Sequence, residues 1–227
     1  MSRYSPSQKH RIFKNKNLII FDFDGVLADS FDTFYPLIRD GMKQIGLPFT
    51  EQHYRNFFVG NVHQGFKDFI KDERKYLIFK EFRSANYDGY YYDKKHGAKL
   101  FPGASNFIKK LSKKYTLAIA SSGKKDNIEN LLKENGIVDL FGSILADFSH
   151  SKEKMIVELL NKFRTKPEET VFITDTVGDI KVAKKCGLRT VAVTWGFHPR
   201  QLLLTAHPGY VATDFSHLTK ILDSKEE

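Results

Sequence analysis

Cysteine is nearly absent from this chain, which has one, Cys186, among 227 residues. A single cysteine cannot form a disulfide within the chain, so the sequence excludes a disulfide-stapled secreted fold and favours a reducing compartment. Long apolar runs are also absent, since no stretch approaches the roughly 20 apolar residues that a membrane-spanning helix needs. We therefore expect a cytoplasmic protein that makes no membrane contact.

Acidic residues are outnumbered by basic ones, 27 against 36, which gives a formal net charge of +9. A basic protein attracts anions in general, but these lysines are scattered through helical segments rather than gathered in one block. We therefore predict no nucleic-acid partner. The first 17 residues are polar and basic without an apolar segment, so we expect a basic leader rather than a secretory signal. Monomer and homodimer both remain open.

Short apolar runs alternate with segments of helical spacing. Strands are predicted at 17–23, 115–121, 170–174 and 190–195, with a weaker one at 143–146. Helices are predicted at 104–114, 126–136, 152–163 and 178–187. This alternation is typical of an α/β fold with a doubly wound parallel sheet, covered by helices on both faces.

The region from 33 to 97 differs from the rest, because it has helical spacing, many aromatic residues and no strand-like run. We interpret it as a helical cap domain inserted into a core domain formed by residues 1–32 and 98–227. The tyrosines at 90, 91 and 92 are expected to pack against the core.

Carboxylates follow two of the predicted strands. Asp22 and Asp24 end the first strand, while Asp175 follows the run "TVFIT" and precedes Asp179. Taken singly, such residues are usually turn or helix-cap residues. Because ligands bind beyond the carboxyl ends of parallel strands, we expect the four to converge. Like charges that close repel, and a hard cation such as Mg²⁺ would relieve the conflict.

Four motifs, in order along residues 17–222, resemble those of the haloacid dehalogenase-like hydrolase superfamily. They are "DFDGVLADS", "LAIASS", a lysine in "HSKEKMI", and "ITDTVGDI". The order of insert and tail is most similar to the phosphoglycolate phosphatase-like branch. Thr174 departs from the pattern, since glycine is common there. The third motif lacks the usual Lys-Pro pair, and Lys152 is preferred to Lys154 because Ile156 then takes the expected apolar position.

The resemblance implies a phosphatase with a Rossmann-like core that acts on a small phosphorylated metabolite. Asp22 would be the nucleophile that forms an aspartyl-phosphate, and Asp24 would be the general acid and base. The implied phosphate-binding residues are Ser121, Ser122 and Lys152. The implied Mg²⁺ ligands are Asp22, Asp24, Asp175 and Asp179.

The cap would select the leaving group, and the cap residues that we predict for this role are Arg39, Gly60, Asn61 and His63. A phosphomutase on the same scaffold is the alternative, because only cap residues would distinguish it. Dehalogenation is disfavoured, since a halide leaving group needs no acid such as Asp24. A non-enzymatic binding protein is disfavoured because all four motifs are intact.

Overall fold

The computed structural model describes residues 18–148 and 151–224, so the predicted basic leader lies outside the described residues. The strands are β1 (Leu18–Phe21), β2 (Ala28–Asp29), β3 (Lys99–Leu100), β4 (Thr116–Ser121), β5 (Ser143–Ala146), β6 (Thr170–Thr174), β7 (Arg189–Val193) and β8 (Tyr210–Ala212). The helices are α1 (Phe31–Gln44), α2 (Glu51–Phe57), α3 (Val62–Ile70), α4 (Glu73–Tyr91), α5 (Ala104–Leu111), α6 (Lys125–Glu134), α7 (Lys152–Phe163), α8 (Val177–Lys185), α9 (Arg200–Leu204) and α10 (Phe215–Asp223).

Six strands form one parallel sheet in the order β5-β4-β1-β6-β7-β8. The chain builds outward from β1 to β4 and β5, then crosses back and builds β6, β7 and β8 on the other side. The strand order therefore reverses at β1, and a doubly wound sheet binds ligands in the crevice at such a reversal. The predicted doubly wound α/β fold is confirmed.

Strand β1 is buried on both faces, which explains its uninterrupted apolar run. Its side chains alternate between the two faces, as the pleat requires. Ile19 and Phe21 join the larger apolar cluster, which extends into the cap. Leu18 and Ile20 join a second cluster with Ile156 of α7 and other side chains from that side of the sheet. Burial of both clusters fixes the register of β1, and thus where its polar end emerges.

The insert leaves and re-enters the core through a small antiparallel ribbon. Ala28 of β2 pairs with Leu100 of β3, and Asp29 pairs with Lys99. Helices α1 to α4 lie between these two strands. We retain the predicted boundaries at 33 and 97 as a proposal, noting that α1 begins at Phe31.

Of the three tyrosines predicted to pack against the core, Tyr91 and Tyr92 do contact it through their hydroxyl groups. The Tyr91 hydroxyl donates to the carbonyl of Asn127 in α6, and the Tyr92 hydroxyl lies 3.3 Å from the Asn127 side-chain oxygen. Tyr90 instead donates to Asp40 of α1, so its hydroxyl bonds within the cap.

Backbone atoms of the cap and the core also meet next to the sheet edge. The amide of Gly178 donates to the carbonyl of Phe58 at 2.8 Å. The buried His198 ring accepts a hydrogen bond from the amide of Val177 and lies 2.8 Å from the carbonyl of Arg55. These contacts join the cap to the core at the carboxyl ends of the strands.

The sequence prediction omitted β8 and the two-residue strands β2 and β3, because a strand that short carries no detectable alternation. The helix predicted at 104–114 ends at Leu111. No helix among residues 18–148 and 151–224 is both long and apolar enough to cross a membrane.

Candidate active site

Asp22 emerges directly after β1, at the carboxyl edge of the sheet. Its side chain is buried, and its Oδ1 accepts hydrogen bonds from the amide of Phe23 at 2.8 Å and from Lys152 Nζ at 2.7 Å. Gly25 allows the chain to turn here, with a φ of 75°. A Cβ at Gly25 would overlap the carboxylate of Asp175, so glycine is required for the two segments to meet.

Lys152 links the first, third and fourth motifs. It is the first residue of α7, and its buried ammonium lies 2.7 Å from Asp22 Oδ1 and 3.1 Å from Asp179 Oδ2. It also donates to the carbonyl of Ala120. Lys154 is exposed. The structure therefore places Lys152, rather than Lys154, among the predicted site residues.

Replacing Lys152 with methionine should lower the free energy of unfolding by about 3–5 kcal/mol, because the buried Asp22 and the partly buried Asp179 lose their counter-charge. The matched variant Lys154→Met should change it by less than about 0.5 kcal/mol, since its side chain is exposed. Denaturant unfolding at neutral pH, with chelator present, measures both. Equal losses in the two variants would show that the ammonium of Lys152 does not compensate the carboxylates.

The fourth motif holds Asp175 and Asp179 close to this group. Asp175 is fully buried, its Oδ2 accepts the amide of Phe197 at 2.6 Å, and its Oδ1 is buried without a hydrogen-bond partner among the described residues. Thr174, where the family pattern favours glycine, bonds weakly to Asp179, with 3.5 Å between Thr174 Oγ1 and Asp179 Oδ2. Threonine is therefore accommodated here as a further contact to Asp179.

Burial makes these carboxyl groups weak acids. It raises the pKa of Asp22 well above the usual range, although the positive charge of Lys152 lowers it. The negative charges of Asp179 and Asp175 raise the pKa of Asp22 further. Burial raises the pKa of Asp24 to about 6 and that of Asp175 to about 7. Burial alone would lower the pKa of Lys152, but Asp179 and Asp22 outweigh it and raise that pKa. Lys152 therefore stays charged.

The four carboxylates do not form a complete metal cage. Within the described parts of the chain, no group of three or more His, Cys, Asp or Glu side chains is arranged to hold a metal ion. The ammonium of Lys152 instead lies between Asp22 and Asp179. The donor chemistry nevertheless suits Mg²⁺, because the atoms are hard oxygens and Asp175 presents a buried, unpartnered one. The predicted ligand set stays a prediction.

An outer cavity of about 400 Å³ opens onto these residues. Ser121 is buried at the end of β4, and its hydroxyl accepts the amide of Gly123. Ser121, Ser122 and Lys152 line this cavity together with Asp22, Asp24 and Asp179. The predicted phosphate-binding residues therefore surround one space.

Three of the four predicted cap residues face this outer cavity, namely Gly60, Asn61 and His63. The Asn61 side chain also caps α3, accepting the amides of His63 and Gln64. The prediction for Arg39 is wrong, because its guanidinium pairs with Asp40 at 2.8 Å and its side chain is 48% exposed. Arg39 lines neither this cavity nor the inner one described next.

A smaller inner cavity, of about 100 Å³, continues from the outer one beneath the cap. Asp24, His63 and Ser122 line both cavities, so the two meet at Asp24. Tyr54 and Arg83 add polar groups to a wall that is otherwise mostly aromatic and aliphatic. Neither Tyr54 nor Arg83 could be predicted from the sequence, because both lie within cap helices and belong to none of the four motifs.

Comparison with known proteins agrees with the family that the four motifs resemble. Residues 19–193 match the family model of the haloacid dehalogenase-like hydrolases. Phosphoglycolate phosphatase from Synechococcus elongatus is 29% identical over 85% of this chain and 91% of its own length. Phosphoglycolate phosphatase from Aliivibrio fischeri is 24% identical over 93% of this chain and 98% of its own length.

Among solved structures, a predicted phosphatase from Clostridium acetobutylicum superposes with a TM-score of 0.79 at 19% identity, over 93% of this chain and all of that one. That likeness concerns the fold. The family match covers the strands that carry the first, second and fourth motifs as well as the start of α7. Motif order, site geometry and family model agree, and the chain belongs to the haloacid dehalogenase-like hydrolases, as a phosphatase of the phosphoglycolate phosphatase-like branch.

Proposed function

We propose that this chain is a Mg²⁺-dependent phosphatase that hydrolyses the phosphomonoester of a small metabolite through an aspartyl-phosphate on Asp22. The observation that carries the proposal is the position of Lys152, whose ammonium touches Asp22 at the wall of a cavity that Ser121 and Asp24 also line. A nucleophilic carboxylate, a fixed cation and a hydroxyl donor around one space suit phosphoryl transfer.

In the first step, a carboxylate oxygen of Asp22 attacks phosphorus and the phosphorus–oxygen bond to the leaving alcohol breaks. The ammonium of Lys152 and the hydroxyl of Ser121 stabilise the charge on the transferring phosphoryl oxygens. Protonated Asp24 gives its proton to the departing alkoxide oxygen. The Asp24 Oδ1 atom suits this role, because it is buried without a hydrogen-bond partner where the two cavities meet.

In the second step, water attacks the phosphorus of the aspartyl-phosphate. The Asp24 carboxylate left by the first step takes a proton from that water, and the bond between phosphorus and the Asp22 oxygen breaks. Phosphate is released, and the Asp22 carboxylate and the protonated Asp24 are regenerated. A pKa of about 6 lets Asp24 serve first as an acid and then as a base near neutral pH.

Mg²⁺ would be held by oxygens of Asp22, Asp24, Asp175 and Asp179. When bound, it neutralises negative charge on the attacking carboxylate and on the phosphoryl group. The raised pKa values of Asp22 and Asp175 reflect their burial and the repulsion from neighbouring carboxylates, of which Asp179 acts on both, and such a cation would relieve this repulsion. Gly25 and Gly196 leave the space that the Asp175 carboxylate occupies, since a Cβ at either would overlap it.

Replacing Asp175 with asparagine should reduce the thermal stabilisation that Mg²⁺ gives. A ligand at a hundredfold excess over its Kd stabilises the fold by about 2.7 kcal/mol, and the variant has one charged ligand fewer. Without metal, its melting temperature should equal or exceed that of the parent, because one repelling charge is gone. Melting curves with chelator and with millimolar Mg²⁺ measure both effects. An equal Mg²⁺ shift in the two proteins would remove Asp175 from the metal site.

A product assay on a panel of phosphorylated metabolites with Mg²⁺ tests the activity as a whole. We expect free phosphate in an amount equal to the alcohol released. An isomerised sugar phosphate without free phosphate would show a phosphomutase instead.

A further inference from the structure

The loop that follows β7 fixes the orientation of Asp175, one of the proposed Mg²⁺ ligands. The amide of Phe197 donates to Asp175 Oδ2 at 2.6 Å, and the amide of His198 donates to the Asp175 carbonyl at 3.3 Å. A Cβ at Gly196 would overlap the Asp175 side chain, so the loop passes directly against it. Because Oδ2 is held by an amide, Oδ1 is the carboxylate oxygen that remains for a cation.

The same loop contacts Arg55, which belongs to helix α2 of the cap. The guanidinium of Arg55 donates to the carbonyl of Phe197 and lies 3.8 Å from the centroid of the Phe31 ring. The carbonyl of Arg55 lies 2.8 Å from Nε2 of His198. His198 is fully buried and its Nδ1 accepts the amide of Val177 at 3.0 Å, so the ring carries its proton on Nε2 and donates it to Arg55. Arg55 therefore both donates to the loop and accepts from it.

The peptide group between Phe197 and His198 joins the cap to Asp175. Its carbonyl accepts from Arg55, and its amide donates to the carbonyl of Asp175. Hydrogen bonds on the two sides of one peptide polarise it in the same direction and strengthen each other. Because the peptide is a rigid plane, a displacement of Arg55 is passed on to Asp175.

Aromatic packing also ties the Phe197 side chain to the cap. Its ring is 3% exposed and meets the rings of Phe31 and Phe58 edge-on, with centroids 5.1 Å and 5.0 Å away. The ring of Tyr54 lies 6.0 Å away. Closely packed rings transmit displacements, so a shift of α2 displaces Phe197 as well.

The cap makes a further contact with the helix that carries Asp179. The carbonyl of Phe58 accepts the amide of Gly178 at 2.8 Å, and a Cβ at Gly178 would overlap carbonyl oxygens of the cap. The amide of Val177 is bonded to the ring of His198. The first amides of a helix have no partner within it, and here the cap and His198 supply partners for two of them.

We propose that Arg55 and His198 are positioning residues that couple closure of the cap to completion of the Mg²⁺ site at Asp175. This inference rests on the proposed function. When the cap is closed, Arg55 and His198 hold the loop after β7 against Asp175. When the cap opens, the loop loses its contacts with Arg55, and Asp175 loses the support that keeps Oδ1 available. Because coupling between two sites is reciprocal, a bound cation also favours the closed cap.

Titration calorimetry of the full-length protein with Mg²⁺ measures this support. The main variant is Arg55→Met, which keeps an apolar stem over Phe31 and removes the donor to the Phe197 carbonyl. We expect its Kd for Mg²⁺ to rise about tenfold to a hundredfold, the usual effect of removing a group that orients a metal ligand. Arg55→Lys should give an intermediate Kd, since it keeps a donor but loses the planar guanidinium.

Position 198 provides an independent pair of variants. His198→Leu loses both hydrogen bonds of the ring, whereas the side-chain amide of His198→Gln can accept one and donate one. We expect the Kd for Mg²⁺ to rise in His198→Leu and to return toward the parent value in His198→Gln. Rescue by glutamine distinguishes positioning from the filling of space, because leucine fills the site without hydrogen bonds.

The matched control is Arg74→Met, at an exposed arginine of α4, whose Kd for Mg²⁺ should equal that of the parent. Melting curves with chelator identify any variant that does not fold, and Arg55→Lys then decides in place of Arg55→Met, by a Kd that is raised or unchanged. A lower melting temperature with an unchanged Kd would show a merely structural role for Arg55 and overturn the proposal.

Failure of the proposed function has a different signature. A parent that releases no phosphate from p-nitrophenyl phosphate with Mg²⁺ refutes the phosphatase function, and the titrations still decide the coupling. A parent that binds no Mg²⁺ overturns the coupling together with the metal dependence. Equal Kd values for the parent and Arg55→Met, in a parent that binds Mg²⁺ and hydrolyses the ester, overturn the coupling alone.

Discussion

Asparagine at position 22 should abolish phosphate release while the protein stays folded. An amide oxygen is a poor nucleophile, and the loss of a nucleophile that acts covalently lowers kcat by a factor on the order of 10⁴ to 10⁶. The fold should persist because Asp22 lies at the end of β1, after the buried strand residues, and because Lys152 keeps Asp179 as an ion partner. Initial rates with p-nitrophenyl phosphate and melting curves measure the two effects separately.

Asp29→Asn is the matched control for this variant. Asp29 belongs to the same motif segment but is exposed, and we expect its activity to match that of the parent within about twofold. Activity of Asp22→Asn within tenfold of the parent would contradict covalent catalysis by Asp22.

Alanine at position 24 should slow turnover by about a hundredfold to ten-thousandfold with alkyl phosphate esters, since general acid–base catalysis contributes that much. Asp24 is the acid for the leaving group and then the base for water, so both steps lose rate. With p-nitrophenyl phosphate the loss should be smaller in the first step, because this leaving group needs little protonation. Pre-steady-state kinetics should then show a burst of p-nitrophenol before slow turnover.

The comparison of an alkyl ester with p-nitrophenyl phosphate isolates the acid role of Asp24. Equal losses of the first-step rate with both substrates would remove that role, even if the slow second step remained. Asp22→Asn serves as the control, because it should lose activity toward both substrates and should show no burst of p-nitrophenol.

The core and the motif residues could be predicted from sequence for one physical reason. A strand buried on both faces has a continuously apolar interior, as β1, β4 and β6 do, so the polar residues that follow this interior mark the carboxyl edge. Asp22 and Asp175 stand at that point. The parallel register of β1 with β4 and β6 then brings the strand ends together.

The inner cavity could not be predicted in the same way. Arg83 and Tyr54 come from different cap helices, and only the packing of those helices brings them to Asp24. The hydrophobic period of α4 is weak, and arginine in such a helix usually faces solvent. Arg39 is the opposite case, a cap arginine that was predicted to contact the substrate and does not line either cavity. Its guanidinium pairs instead with the carboxylate of the next residue, Asp40.

The central claim is that Asp22 carries the phosphoryl group during turnover. Asp24→Ala is the suitable protein for this measurement, because it should release p-nitrophenol and then hydrolyse the intermediate slowly. The reaction is quenched with acid during the burst, and the peptides are mapped by mass spectrometry. The account predicts one phosphoryl group on the peptide that contains Asp22, and its absence when Asp22 is also replaced with asparagine. A burst without phosphoryl on that peptide, or with phosphoryl on another residue, would contradict it.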